Sequence, residues 1–392
     1  MTKLFNPLHL VTHASPYPHY QALREQGALR FDPELKLWIA SSAAVVQTIL
    51  SSTSCAVRPP DDQVPMSIRT GNAGDVFGHL VRMNEGSTHQ TAKQVLQTSL
   101  RSIDFDLQQV QLMTQLRQLA GESPLQSSAH MNSWQMALPV SLVAHLCGFS
   151  DDALPQVVNW TRDFVACLSP LSSAEQIQTS HQVASKLQVS FVELLRTAPS
   201  RPQAFLARLQ EEAASLGWRN SDAIVGNLIG LLSQTYEATA GLIGNSMITL
   251  HTHPDLRRQL SATPELITDF ITEIARYDPP VQNTRRFVTQ NITIDGQDLQ
   301  AGDVILLLLA AANRDPLANT DPDQFLLQRE DRLSLTFSHA RHQCPGQALA
   351  ISIAATTVAY VLANSTTQQW QAWQWHYRPS LNGRIPVFHE PS

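Results

Sequence analysis

One cysteine stands out for its chemistry in the run that spans residues 337–350. Cys344 is followed by Pro345, and proline is favoured at the first position of a helix because its missing N–H would have no partner there. The sequence therefore predicts a helix from Pro345 to about Asn364, with Cys344 at its positive end. A thiolate is stabilised as an anion at such a place, and Gly346 lets the backbone pass close to a flat, bulky group. This arrangement suits an axial ligand to a haem iron.

The same run resembles the cysteine-ligand loop of the cytochrome P450 family, the haem-thiolate monooxygenases. The matching residues are Phe337, Arg341, His342, Cys344, Gly346, Leu349 and Ala350. Two glycines that the family usually has are replaced by Ser338 and Ala340. Taken alone, Cys344 could equally be a small buried apolar residue, which is the usual fate of a free cysteine. The segments described below favour the resemblance.

The composition limits the class of protein. The chain has 392 residues, a formal net charge of −6 and four cysteines. The negative charge argues against a nucleic-acid partner, and the cysteine spacing fits neither a metal finger nor a disulfide framework, which favours the reducing cytoplasm. The N-terminus lacks the apolar core of a signal peptide. The longest apolar run, 304–312, is much shorter than the roughly 20 residues of a membrane helix, so we expect a soluble, cytoplasmic protein with no membrane association.

The pattern of elements predicts a mainly α protein with small β regions. Helices are predicted at 18–26, 41–50, 89–100, 105–120, 139–147, 151–167, 173–197, 202–214, 222–251, 263–277 and 345–364. Strands are predicted at 28–31, 37–40, 286–294 and 297–299, the last two joined by a turn at Asp295-Gly296, and a final hairpin signal covers 381–387. Residues 55–80 read as a long loop of the kind that often binds ligands. No linker or repeat divides the chain, and the order of elements resembles one cytochrome P450 domain over 1–392, most strongly from about Ala223 onward.

Two charged residues lie on one face of the predicted 263–277 helix. Glu273 and Arg276 are three positions apart and so are neighbours on its surface. Taken alone, they would be an exposed ion pair of little value. In the family, however, a Glu-x-x-Arg motif occupies this place. The resemblance implies a structural role in haem retention, in which the pair fixes the segment with Asp323 and Phe325.

The resemblance also implies a cofactor, haem b (iron protoporphyrin IX), and residues that contact it. Haem propionates need cations or strong hydrogen-bond donors. The positions that match the family's propionate partners are His89, Lys93, Arg286 and His342, while Phe337, Gly346 and Ala238 match positions beside the haem. Lys93 replaces the usual arginine, so a forked contact becomes a point charge. For His89 and Lys93, which lie four apart, an ordinary polar helix face is the alternative.

The predicted 222–251 helix contains the most informative sequence difference from the family. It is apolar on most faces, so we expect it to be buried and central, and its polar residues therefore need an explanation. Glu237 matches the acid beside the oxygen site, whereas the alcohol that normally follows is Ala238. The pair Gln234-Thr235 replaces the usual Ala-Gly. Glu237, Thr235 and Gln234 are thus the candidate catalytic residues of a proton relay, and a water-filled kink without special chemistry is the alternative.

The implied activity is O2 activation by a haem-thiolate monooxygenase that takes two electrons from a separate ferredoxin or flavodoxin system. No flavin- or nicotinamide-binding glycine pattern occurs in the chain. We expect a medium-sized organic substrate, such as a natural-product intermediate, free or carried on a protein. The candidate pocket positions are 66–77, Leu231, Gln234, Thr235, Ala238 and 281–284. Ala238 motivates an alternative chemistry: coupling, desaturation, rearrangement or peroxide-driven oxidation. A non-catalytic haem sensor and a helical scaffold without haem are the remaining alternatives.

Overall fold

Helices make up most of the chain. The structure is a computed structural model that describes residues 6–197, 204–371 and 373–391. The helices are α1 (Pro7–Leu10), α2 (Tyr17–Glu25), α3 (Ala43–Ser51), α4 (Asn72–His79), α5 (Gly86–Arg101), α6 (Phe105–Leu119), α7 (Ser128–Leu146), α8 (Leu154–Ala166), α9 (Ala174–Thr197), α10 (Phe205–Ser215), α11 (Ser221–Thr252), α12 (Pro254–Ala262), α13 (Ile267–Tyr277), α14 (Leu309–Ala312) and α15 (Gln347–Ala363). The prediction of a mainly α protein is confirmed. The first residues of the predicted 202–214 helix lie outside the described residues.

The β structure is small and divided among three sheets. The strands are β1 (Leu29–Asp32), β2 (Leu37–Ala40), β3 (Cys55–Ala56), β4 (Thr284–Val288), β5 (Ile292–Ile294), β6 (Gln297–Leu299), β7 (Val304–Leu307), β8 (Gln374–Tyr377) and β9 (Pro386–His389). The largest sheet has the order β1-β2-β7-β4-β3, in which only β2 and β7 run parallel. The β5–β6 hairpin turns at Asp295-Gly296, as predicted, with φ of 50° and 71°. The predicted C-terminal hairpin is β8–β9.

Helix α11 runs through the centre of the helical part. The Asn220 side chain caps its start by accepting a hydrogen bond from the Ala223 N–H at 3.0 Å, and Pro254 begins a separate helix after its end. Residues on most of its faces are buried, where it packs against α4, α7, α8 and α15. The prediction of a buried central helix over 222–251 is confirmed. Among the described residues, no helix is both long enough and apolar enough to cross a bilayer.

The prediction of a long loop over 55–80 is wrong, because this segment contains β3 and α4. Two glycines, Gly74 and Gly78, lower the helix propensity of α4, so the sequence pattern conceals it. Tertiary contacts stabilise it instead. The Asn227 side chain on α11 donates to the His79 carbonyl at 2.8 Å and accepts from the Val81 N–H at 2.7 Å.

Other element boundaries also differ from the prediction. Helix α7 begins at Ser128 rather than at Pro139, because Ser127 caps it and packing against its neighbours outweighs the hydrogen bond that Pro139 removes. The predicted strand over 286–294 is two strands, β4 and β5. The cap of α3 is Ser42, while Ser41 donates to the Gly27 carbonyl. Helix α13 begins at Ile267, after a 3-10 turn over Pro264–Leu266.

Candidate active site

The loop that carries Cys344 folds back on itself before α15. The Cys344 N–H donates to the Phe337 carbonyl at 2.7 Å, which closes the loop. Helix α15 begins at Gln347, two residues later than predicted, because Pro345 and Gly346 form a turn. Cys344 nevertheless lies at the N-terminal end of the helix. A Cβ added to Gly346 would have the Cys344 sulfur as its nearest neighbour, at 3.9 Å, so this glycine leaves the space beside the sulfur clear.

Cys344 differs from the other cysteines of the described chain. It is exposed, whereas Cys55, Cys147 and Cys167 are buried, so the alternative of a buried apolar cysteine is wrong for Cys344. The surrounding protein nevertheless removes part of the water from the thiol. This desolvation raises the pKa of the Cys344 thiol, while the Gly346 N–H and the Lys93 ammonium act in the opposite direction. An exposed thiol with a cation and a backbone N–H near it is suited to binding a metal as thiolate.

The two positions that lack the family's glycines adopt a glycine conformation. Ser338 has a φ of 62° and Ala340 a φ of 53°. The left-handed region is unfavourable for residues with a Cβ. The loop around Cys344 is therefore held in its shape by the surrounding structure, at a cost in backbone strain.

Four predicted cofactor contacts gather on one side of this loop, and we call them the basic cluster: His89, Lys93, Arg286 and His342. The rings of His89 and His342 pack with centroids 4.3 Å apart. The Lys93 ammonium donates to the carbonyl of Gln343, the residue before Cys344. Arg286 lies on β4 and is 4% exposed. An ordinary polar helix face is excluded for His89, which is 3% exposed and packs on the ligand loop.

In the haem-free chain, burial disfavours the charged forms of His89 and Arg286. Desolvation lowers the pKa of His89 to about 4, and the neighbouring His342 acts in the same direction. Desolvation also lowers the pKa of Arg286 to about 10, against the attraction of Glu85. Negative groups placed among these side chains would favour their charged forms.

The cluster also has polar atoms that lack a hydrogen-bond partner. The Arg286 Nε is buried without a hydrogen-bond partner. Within the described residues, neither ring nitrogen of His89 makes a hydrogen bond, and His342 makes one only through Nε2. Buried polar groups are normally satisfied, and carboxylate oxygens are the acceptors that arginine and histidine prefer. The residues present therefore fit a haem whose propionates reach the basic cluster and whose iron faces Cys344.

Glu85 and its contacts were not predicted from the sequence. It immediately precedes α5, and its carboxylate accepts hydrogen bonds from Arg341 Nε and His342 Nε2, each at 3.1 Å. Burial would raise the pKa of Glu85, but the bonds from His342 and Arg341 outweigh it and lower the pKa to about 2. Arg341 was identified as part of the ligand loop. Its partner could not be, because 256 residues separate the two.

One face of α11 carries the residues predicted to surround the oxygen site. Leu231, Gln234, Thr235 and Ala238 follow helical spacing, and none of them is fully buried. The Gln234 Nε2 donates to the Gly230 carbonyl at 2.9 Å, and the Thr235 hydroxyl donates to the Leu231 carbonyl at 2.7 Å. The Thr235 hydroxyl therefore uses its hydrogen on its own helix and the Gln234 amide uses one of its two, while each side chain keeps an oxygen available as an acceptor.

Glu237 has a different environment from these residues. Burial raises its pKa above the usual value, and the Arg378 guanidinium opposes the shift. Arg378 follows β8 in the C-terminal hairpin. A carboxyl group that is partly desolvated and faces one cation can hold or release a proton more readily near neutral pH than an exposed one.

Several predicted pocket positions do not line an open space. Gln282 and Asn283 are buried, and their amides donate to the carbonyls of Pro279 and Leu381 at 2.7 and 2.8 Å. The Asn283 amide fastens the segment after α13 to the C-terminal hairpin, together with the Gln282 backbone N–H, which donates to the Asn382 carbonyl at 2.9 Å. Met66 is 80% exposed, whereas Phe77 on α4 is buried.

The pair Glu273–Arg276 is buried, so the alternative of an exposed ion pair is wrong. Arg276 also donates to the carbonyls of Asn313, Pro322 and Gln324. Glu273 accepts further bonds from Leu326 N–H, Arg329 and Arg332. Phe325 packs against Phe270 and Tyr277 of α13, and Asp323 pairs with Arg314. The pair thus fixes the segment that precedes the ligand loop, as the resemblance implies.

Comparison with known proteins gives a consistent result. A sequence profile described as "Cytochrome P450" matches residues 259–368. The chain is 27% identical over 253 residues to the biotin biosynthesis cytochrome P450 of Bacillus subtilis, covering 64% of each protein. It is 26% identical over 387 residues to the putative cytochrome P450 133B2 of Xylella fastidiosa, covering 94% of each.

Solved structures show the same fold. The crystal structure of CalO2 superposes with a TM-score of 0.83 at 21% identity, covering 100% of this chain and 99% of that one. The structure of P450BioI in complex with an acyl carrier protein ligated to hexadec-9Z-enoic acid gives 0.81 at 22% identity, covering 95% and 97%. The profile match spans the Glu273–Arg276 pair and the Cys344 loop, and the fold agrees from end to end. Sequence and fold together support a bacterial-type member of the cytochrome P450 superfamily.

Proposed function

We propose that the protein is a haem-thiolate monooxygenase in which Cys344 is the axial ligand of haem b. The observation that carries this proposal is the exposed Cys344 thiol at the N-terminal end of α15, beside the basic cluster. When bound, the haem would supply O2 activation with two electrons, and thiolate donation favours cleavage of the O–O bond. The chain 1–392 would form one haem-bearing domain.

The roles of the chain's own residues follow from their environments. His89, Lys93, Arg286 and His342 would hold the propionates, while Phe337, Gly346 and Ala238 would lie beside the haem. Glu237 would pass protons toward the oxygen site as part of a general-acid chain. Thr235 would order water through its oxygen, because its hydrogen is engaged with the helix, and Gln234 would do so through its oxygen or its second amide hydrogen.

The proposed substrate is a medium-sized organic molecule, free or carried on a protein. The open face of α11 combines Leu231 and Ala238 with two polar side chains, which suits a substrate that has both apolar and polar groups. The solved complex of P450BioI with an acyl carrier protein supports the carrier-bound form as one to test. Electrons would come from a separate ferredoxin or flavodoxin.

Reconstitution tests this proposal. Haem-loaded protein is mixed with a surrogate ferredoxin and its reductase, and candidate substrates are offered both free and attached to a carrier protein. We expect a substrate-dependent change of spin state followed by an oxygenated product that contains one atom from O2. Absence of any spin change and any product over the panel would favour a haem sensor.

Ala238 favours a second candidate function. An alanine cannot hold the water that a threonine hydroxyl would hold, so delivery of protons to bound oxygen lacks its usual group. Peroxide-driven oxidation would depend less on that delivery, because hydrogen peroxide brings its own protons and electrons; coupling, desaturation or rearrangement would be further outcomes of such a site. Product formed with hydrogen peroxide, and not with the ferredoxin system, would support this candidate.

A further inference from the structure

Arg82 is a desolvated arginine that has no partner in the described chain. Its side chain has accessible surface, yet the surrounding protein removes enough water from the guanidinium to lower its pKa. Within residues 6–197, 204–371 and 373–391 it makes no hydrogen bond, ion pair or ring contact. A charged group that loses water without gaining a partner is costly, so this side chain needs an explanation.

The other described arginines whose pKa is lowered by burial all have hydrogen-bond acceptors. They are Arg24, Arg58, Arg257 and Arg286, which donate to the Ala311 carbonyl, Asn84 Oδ1, the Leu250 carbonyl and the Arg285 carbonyl at 2.8–3.1 Å. Glu85 also attracts Arg58 and Arg286, whereas no charged side chain contributes to the pKa of Arg82. Within this group, Arg82 alone is left for an acceptor from outside the described chain.

The turn that carries Arg82 is fixed to the central helix. This 3-10 turn, Val81–Met83, lies between α4 and α5, and the N–H of its first residue donates to a side chain of α11 at 2.7 Å. The preceding residue, Leu80, packs on the same helix. A Cβ added to Gly230 would lie 2.7 Å from Leu80 Cδ2 and 3.2 Å from Gln234 Nε2. The turn therefore begins beside the part of α11 that carries the oxygen-site face.

The other end of the same segment reaches the ligand loop. Glu85, three residues after Arg82, accepts hydrogen bonds from Arg341 and His342 of that loop, each at 3.1 Å. Arg82 thus lies on the segment that connects the oxygen-site face of α11 with the Cys344 loop. In the proposed function, the haem and the substrate occupy the space between these two parts. Because the guanidinium has accessible surface but has lost water, we place it toward that space rather than toward bulk solvent.

We infer that Arg82 binds a carboxylate of the substrate, so that the protein oxidises a free organic acid. The inference rests on the proposed monooxygenase function and names a substrate class within it. Arginine suits this role because its planar guanidinium can donate to both oxygens of one carboxylate. A thioester on a carrier protein lacks that carboxylate, so Arg82 favours the free acid over the carrier-bound form.

The test measures binding with probes that reach the site whatever the native substrate is. Imidazoles that carry an alkyl chain on one ring nitrogen bind haem iron through the other nitrogen, and the Soret band of the holoprotein reports their affinity. The chain length is varied, and each chain ends either in a carboxylate or in the uncharged carboxamide. We expect the wild type to bind the carboxylate about 10-fold more tightly at one or more lengths. Arg82→Gln should abolish this preference and leave the affinity for the carboxamides unchanged.

Control variants show whether the preference depends on this guanidinium. Arg82→Lys keeps the charge but not the fork, so it should retain part of the preference. Arg101→Gln removes an exposed arginine from the last turn of α5 and should retain all of it. If Arg82→Gln does not fold, Arg82→Met removes the charge and keeps an unbranched side chain. Equal binding of both ends by the wild type at every length, or a preference that survives in the uncharged variant, would overturn the inference.

Haem release separates a substrate partner from a propionate partner. Holoprotein is mixed with excess apomyoglobin, and Arg82→Gln should transfer haem at the wild-type rate. Faster transfer would assign Arg82 to the haem and overturn the inference. Failure of the proposed function gives a different result, because a wild-type chain that takes up no haem would contradict that function. A wild-type chain that binds haem and the imidazoles without preferring the carboxylate would contradict the inference alone.

Discussion

Glu273 and Arg276 form a two-pronged ion pair that solvent does not reach. The Arg276 Nη2 and Nε donate to the two carboxylate oxygens of Glu273 at 2.6 and 3.0 Å, and both side chains are 0% exposed. Arg329 and Arg332 reach the same carboxylate. One anion therefore balances several guanidinium groups around the segment that leads to Cys344.

Glu273→Ala should be among the most damaging substitutions in the chain. It leaves Arg276 buried without its partner, which costs about 3–5 kcal/mol. We expect mostly insoluble protein or apoprotein, measured as soluble yield and as haem per protein. The matched control is Glu193→Ala, because Glu193 and Arg196 have the same spacing but are exposed. The control should behave as wild type. If the Glu273→Ala variant is soluble and has full haem content, the ion pair is dispensable and this prediction is wrong.

Glycine substitutions in the ligand loop should stabilise the protein. Ala340→Gly and Ser338→Gly remove a Cβ from a left-handed conformation, and we expect each to raise the free energy of unfolding by about 0.5–1 kcal/mol, since the greater freedom of glycine in the unfolded chain offsets part of the gain. Urea denaturation measures the change. Gly296→Ala is the reverse control, because Gly296 has a φ of 71° with open space around it, and it should destabilise. Destabilisation by Ala340→Gly would mean that its methyl group packs usefully.

The haem-free chain should lose stability in mild acid through His89. Its pKa is about 4 in the folded chain, below the usual value of 6.5. Between these values the unfolded chain binds a proton that the folded chain does not, so stability falls as the pH decreases from about 6.5 to 4. Urea midpoints at several pH values measure this slope. His89→Gln should flatten it, and an unchanged slope would contradict the burial of an uncharged His89.

The oxygen-site face of α11 should control coupling. Gln234→Ala and Thr235→Ala remove the acceptors that would order water near Glu237, so more peroxide should leak per electron consumed. Ala238→Thr restores a hydroxyl at the usual place and should reduce the leak with apolar surrogate substrates. The measurement is product formed per reducing equivalent, with peroxide counted separately. Unchanged coupling in both alanine variants with the native substrate, including when its polar groups are masked, would mean that Glu237 works through water alone.

Local patterns were predicted well because they carry their own signal. The Cys344 loop and the Glu273–Arg276 spacing can each be recognised within a short run of sequence. The length and apolar content of α11 predict a buried helix. Helix α4 was missed because contacts with other helices stabilise it, such as those with α9 and α11 and the bond from Asn227 to the His79 carbonyl, and a local pattern does not reveal them. The Glu85–His342 contact was missed because it joins positions 257 residues apart. The environment of Glu237 likewise depends on Arg378, which only the folded chain brings near.

The absorption spectrum of the reduced protein with carbon monoxide tests the central claim most directly. Thiolate ligation by Cys344 predicts a strongly red-shifted Soret band in the wild type, and Cys344→Ala should abolish this band. Cys147→Ala, at a buried cysteine, is the control and should keep it. A wild-type spectrum without the shifted band, or a Cys344→Ala variant that retains it, would contradict the assignment of Cys344 as the iron ligand.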